Sequence, residues 1–218
     1  NFEKAEREIA AGGQPLHPFG RDQMQRYREW LERAGKESRV LVVVTSSPLA
    51  FIHGWRLNLA AYGLKRAMRF MEDFFHLDAF DDDWRDQMPN KLNAPARDGI
   101  VSGLAAELKK HPAGSRRGVL LAGDVHVGHY NRVPLDEGRA IDMWTSSPIS
   151  NKPNWSMRWA ACLARDKRPV GSLDGQELYA RDFWSKSARN AVLLTLEESG
   201  REEVAPLVKG EIIWESGH

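Results

Sequence analysis

Two short aliphatic runs without polar interruption, "VLVVV" at 40–44 and "GVLLAG" at 118–123, restrict this chain more than any other feature. A strand with one wet face alternates apolar and polar residues, so an unbroken run predicts a strand covered on both faces. Parallel strands joined by helices have that pattern. Between the runs, "ARDGIVSGLAAELKKHPAG" at 96–114 has helical period, which predicts a strand, a crossover helix and a second strand. "RAIDMWTSSP" at 139–148 reads as a third strand, and 190–214 as a terminal strand ladder with turns near Gly200 and Gly210. The expected class is α/β or α+β with a mixed sheet.

Helical spacing also covers Phe2, Ala5 and Ile9, then residues 20–35, with Met24, Tyr27, Trp30 and Leu31 on one face and Gly35 as the stop. Residues 54–76 are helix-like and lead into an acidic, aromatic loop, "DAFDDDWRDQMPNKLNAP". At 218 residues the chain supports one well-buried domain. Its net charge of +1 provides no overall field to recruit nucleic acid or an anionic membrane. Cys162 is the only cysteine, which excludes an intrachain disulfide and a CxxC zinc site. The longest aliphatic run is far below the ~20 residues of a membrane span, so the chain reads as a soluble protein of unassigned compartment. Numbering opens at Asn1 inside a charged helical pattern, which raises the expectation of a longer polypeptide.

The chemistry concentrates in "LLAGDVHVGHY" at 120–130, where a buried strand runs into an acid and two histidines. In extended chain, residues i and i+2 project the same way, so Asp124 and His126 can share one ion. Gly123 lets the backbone come close to it. Carboxylate beside imidazole suits zinc, iron or manganese, whereas cages of oxygen alone suit calcium or magnesium. His129 is a candidate to sit behind the ligands, to orient a phosphate or to protonate a leaving oxygen. The plain structural alternative is an Asp that caps the next turn beside exposed loop histidines. "TSSPL" at 45–49 and "TSSPI" at 145–149 echo one another with unlike flanks, and read as strand exits whose hydroxyls bond nearby backbone.

"LLAGDVHVGHYN" resembles the "GDVH" block of the PhoD-like alkaline phosphatases, a branch of the calcineurin-like metallophosphoesterases. The order around it is similar too: "FGRDQMQRYREWLERA", "RVLVVVTSSPLAF", "DDWRDQ", "MWTSSPIS" and "ARNAVLLTLEE" resemble family segments, so the likeness spans most of 19–197. "GDVH" is its most specific element. The resemblance implies a layered αββα sandwich of two mixed sheets, with Asp124 and His126 as metal ligands. It also implies a phosphoesterase whose two ions polarise phosphoryl oxygens and lower the pKa of bound water. The metals it allows are iron, zinc, manganese or calcium.

Residues 130–218 contain no GDxxD-like or GNH-like block, so "DVH" is the last metal block, and residues 1–123 lack the opening blocks that would complete the centre. This leads to the expectation that residues 1–218 are one domain, the C-terminal part of a longer enzyme, with 191–218 as its terminal ladder. The missing ligands would come from preceding polypeptide or from a separate chain. The competing reading is a non-catalytic interaction module that retained the sheet. Arg97 is a candidate for a substrate phosphate, and Asp83 and Trp84 for the substrate cleft. His53, His76 and the Asp81 to Asp83 run are weaker metal candidates. No P-loop, GxGxxG, GxSxG or HExxH is present.

Overall fold

The computed structural model of the chain describes residues 20–50, 93–123, 127–136, 138–146, 167–186, 190–201 and 203–214. The expected N-terminal helix, the helix at 54–76 and most of the acidic loop lie outside the described residues. Helix α1, Gly20–Glu37, is followed by β1, Val40–Thr45. Helix α2, Ala94–Lys109, with Pro95 in its first turn, is followed by β2, Arg117–Ala122. Then come β3, Gly128–Asp136, β4, Arg139–Thr145, β5, Arg168–Leu173, and β6, Gln176–Lys186. The hairpin β7, Asn190–Glu197, and β8, Leu207–Trp214, ends the described chain.

Strands β1 to β6 form one mixed six-stranded sheet in the order β1-β2-β4-β3-β6-β5. β1, β2 and β4 are mutually parallel, while β3 runs against both β4 and β6. The expected mixed-sheet α/β class is therefore what the chain adopts. β5 and β6 turn through Asp174 and Gly175, both with positive φ (52° and 76°), as the two-residue hairpin loop demands. That Asp-Gly signal stands in the sequence although no hairpin was expected there.

One face of the sheet meets the helices. Leu41, Leu120, Ile141, Met143, Val133, Val170 and Leu178 join Met24, Leu31, Ile100, Val101, Leu104 and Leu108 in a single core. The apolar spacing of α1 aims Met24 and Leu31 at α2, where a Cβ on Gly99 would come within 2.9 Å of Met24 and one on Gly103 within 3.3 Å of Leu31. Gly35 is not a stop signal, because α1 continues to Glu37. Its missing side chain instead admits the buried Glu107 carboxylate, whose Oε1 would lie 2.1 Å from a Cβ there. Glu107 in turn accepts a hydrogen bond from Lys110 at 2.7 Å.

The opposite face carries the β7-β8 hairpin. Gly210 is no turn but lies mid-strand, paired with Leu194, and a Cβ on it would be 2.2 Å from the Trp144 ring. A ring seated on bare backbone locks the two layers. β2 is covered on both sides as expected, with Val119 and Leu120 both buried. β1 differs: Leu41 is buried, but Val44 on the other face is 73% exposed, because the hairpin lies over β4 and leaves the outer face of β1 open. Among the described residues no helix is long and apolar enough to cross a membrane.

Tyr27 ties the helices together, its hydroxyl donating to the Ile100 carbonyl at 2.8 Å. Burial pushes its pKa up. The unfolded chain loses this proton near the ordinary tyrosine pKa of about 10, whereas the folded chain keeps it. The contribution to stability is thus complete below about pH 10 and is lost as pH rises further. Tyr27→Phe should cost about 1 kcal/mol at neutral pH and flatten the alkaline decline, as read by urea unfolding at several pH values. Gly210→Ala should cost roughly 1–3 kcal/mol by forcing the hairpin away from Trp144, and a lowered melting temperature with altered tryptophan emission would register it.

Candidate functional site

The carboxyl ends of β1, β2, β4 and β6 are level with the amino end of β3. Thr45 pairs with Ala122, Ala122 with Thr145, Thr145 with His129, and His129 with Ser185. Lateral partners share a face, so these residues form a row across five strands on the helix-covered side. Thr45, Thr145, His129 and Ser185 are all buried. The apolar core thus ends in polar groups at the end of the sheet where open α/β folds bind ligands.

Gly123 stands at the centre of this rim. Its amide donates to the Ser46 carbonyl at 3.3 Å, while the Ser146 amide donates to the Ala122 carbonyl at 2.9 Å. A Cβ on Gly123 would sit 3.4 Å from the Ser146 oxygen and 3.8 Å from the Ser46 oxygen, so the residue lies between two carbonyls. The two echoing "TSSP" segments are therefore neighbours, one on each side of the end of β2. The backbone-bonding reading of their hydroxyls holds at Thr45, whose Oγ1 donates to the Ser47 carbonyl at 2.9 Å. It holds also at Ser146, whose Oγ donates to the Asn190 carbonyl at 3.4 Å.

The chain leaving β1 crosses the helix-covered face. Ser47, Leu49 and Ala50 are buried, and the Ala50 carbonyl accepts a hydrogen bond from Asn131 Nδ2 at 2.7 Å. From β1 to β3 is three strand spacings, about 14 Å. Residues 45–50 bend at Ser46, Ser47, Leu49 and Ala50 as they form this strap, which the Asn131 side chain meets from β3. β4 lies between β2, which ends just before Gly123, and β3, which begins just after Val127.

Asp124 and His126 belong to the segment between Gly123 and Val127 and lie outside the described residues, as do Asp83, Trp84, His53, His76, Asp81 and Asp82. His129 is described, and it is not a loop residue. It is the second residue of β3 and 1% exposed, with a strand neighbour on either side. Position and burial fit a group behind the loop rather than one that meets a solvent-borne substrate. Arg97 is in the first turn of α2, which points toward the carboxyl end because its last turn meets the start of β2, with Leu108 against Gly118. Its guanidinium is engaged by the adjacent Asp98, at 2.8 Å from both Nε and Nη2. Among the described residues no three His, Cys, Asp or Glu side chains converge.

Sequence reasoning missed Asn131. The signal was its parity: it shares a face with Val133 and Leu135, so a polar residue stands at a core position and must find a partner there. On the outer face, Tyr130 stacks on Trp144 with centroids 4.1 Å apart and donates to Asp142 at 2.8 Å. Burial first, and then that hydrogen bond, raise the Tyr130 pKa.

No protein-family model matches the sequence, no curated protein matches it, and no solved structure matches it.

The burial of His129 has a direct test. Diethyl pyrocarbonate should spare His129 in the folded chain while modifying His111, whose side chain is 20% exposed. Rapid native modification of His129, mapped by mass spectrometry, would contradict its place in the core.

Proposed function

We propose that the chain contributes to a metal-dependent phosphoesterase, with Asp124 and His126 as ligands, on a sheet resembling that of the PhoD-like phosphatases. The observation that supports this most is the strand order β2-β4-β3. β2 and β3, which precede and follow the D-x-H segment in sequence, are separated by β4, and the carboxyl end of β2 stands at a rim of the kind where open sheets usually bind ligands. Donor chemistry agrees, since a carboxylate and an imidazole two residues apart suit zinc, iron or manganese. A bound ion would supply Lewis acidity toward a phosphoryl oxygen and a water.

The chain's own part is then positional. Gly123, held between Ser46 and Ser146, sets where the ligand segment starts, and buried His129 sets where it ends. His129 on this reading supports the loop from behind, and proton transfer to the leaving group falls to another group. Further donors come from segments other than the described ones, with His53, His76, the Asp81 to Asp83 run and a separate chain as candidates. Arg97 reaches a phosphate only by giving up part of its pairing with Asp98.

A second reading, an interaction module without catalysis, draws on the apolar outer face of β1, where Val42 and Val44 are exposed. One experiment separates the two. The chain is loaded in turn with zinc, iron or manganese, bound metal is measured, and hydrolysis of a model phosphate ester is followed. Asp124→Ala and His126→Ala should each weaken metal binding by at least about tenfold, as loss of metal-site contacts does, with the circular dichroism spectrum unchanged. Equal metal content in wild type and both variants would exclude the metal reading and leave the module.

A further inference from the structure

We infer that Thr45 and Asn131 are positioning residues, which anchor the strap at 45–50 so that Ser46 fixes the backbone of Gly123. Three hydrogen bonds carry the inference. Asn131 Nδ2 holds the Ala50 carbonyl at 2.7 Å, and Thr45 Oγ1 holds the Ser47 carbonyl at 2.9 Å. The Ser46 carbonyl, between those anchors, takes the Gly123 amide at 3.3 Å.

Each anchor is buried, where a lost donor strands a carbonyl away from water. Ser46 lies between the two anchored carbonyls, so freeing either one lets the Ser46 carbonyl shift. Gly123 has no side chain through which to be gripped, and even a Cβ built on it would make only ordinary van der Waals distances to the flanking carbonyls. Its placement therefore depends on this backbone bond and on the pairing of β2 just before it.

Ligand placement is sensitive to small displacements, and groups supporting a metal ligand are typically worth 10–100-fold in affinity. On the reading that Asp124 holds metal, slack in the strap moves the residue just before that ligand. Asn131 thus acts on the site from β3, across the two strands that separate it from β1.

The experiment uses the full chain and does not begin with metal. Amide hydrogen exchange is measured by NMR at Gly123 and at Leu120 in wild type, Thr45→Val, Thr45→Ser, Asn131→Ala and Tyr27→Phe. Thr45→Val and Asn131→Ala should speed exchange at Gly123 by about tenfold relative to Leu120, the scale of losing one buried hydrogen bond. Thr45→Ser, which keeps the hydroxyl, should restore the wild-type ratio. Tyr27→Phe loses a hydrogen bond between the helices and should leave the ratio unchanged. A Gly123 to Leu120 ratio that is the same in every variant overturns the inference, because strap and loop are then uncoupled.

A manganese titration follows. Thr45→Val and Asn131→Ala should weaken binding in the wild-type background and have no further effect in Asp124→Ala. Unchanged affinity despite faster exchange overturns the positioning role. A wild-type chain that takes up no manganese, zinc or iron overturns the metal reading instead, and the exchange ratios still decide the coupling between strap and Gly123.

Discussion

Everything at the candidate site takes its height from the backbone pairing of β2 with β1 on one edge and β4 on the other. That register sets Thr45, Ala122 and Thr145 level, and the pairing of β4 with β3 extends the level to His129. Both neighbours are set through β2, so a one-residue slip of β2 would turn its own side chains to the opposite faces and put Thr45 and Thr145 out of line with Ala122. Burial on both sides resists such a slip, because it would move Val119 and Leu120 out of their two apolar environments together.

The two faces of the sheet are held differently. On the helix side, apolar chains from α1, α2 and all six strands of the sheet make one continuous core, and the buried Tyr27 hydroxyl finds a backbone partner within it. The outer side depends on fewer contacts. Trp144 seats on Gly210 while Trp214 seats on Gly128, so each layer supplies a ring and the other supplies bare backbone. Glycine serves at both places because closeness, not turning, is required of the chain. The outer face of β1 lies beyond the hairpin's reach, which is why a run that looks like a strand covered twice carries exposed valines.

The rim also gives the two "TSSP" segments a common explanation. Each follows a strand flanking β2, each starts with a buried threonine at the same register, and each exchanges a backbone hydrogen bond with the end of β2. Their similarity needs no internal repeat. It reflects two strand ends meeting the same neighbour from opposite sides, with small hydroxyl residues able to bond backbone in a confined space.

Local pattern was enough to locate β1, α2, β2, β4 and the terminal ladder, since period and composition report directly on which residues leave water. The Asp-Gly turn at 174–175, whose signal is equally local, went unread and emerged only with the β5-β6 pairing. The sequence also singles out 124–129 as the candidate site, since there an acid and two histidines directly follow an aliphatic run. It did not determine that His129 is inside the sheet, that β4 separates β2 from β3, or that Asn131 reaches a carbonyl 81 positions earlier. Those depend on which strands become neighbours. Strand order is decided by the joint burial of all the elements, and a single segment contains no record of it.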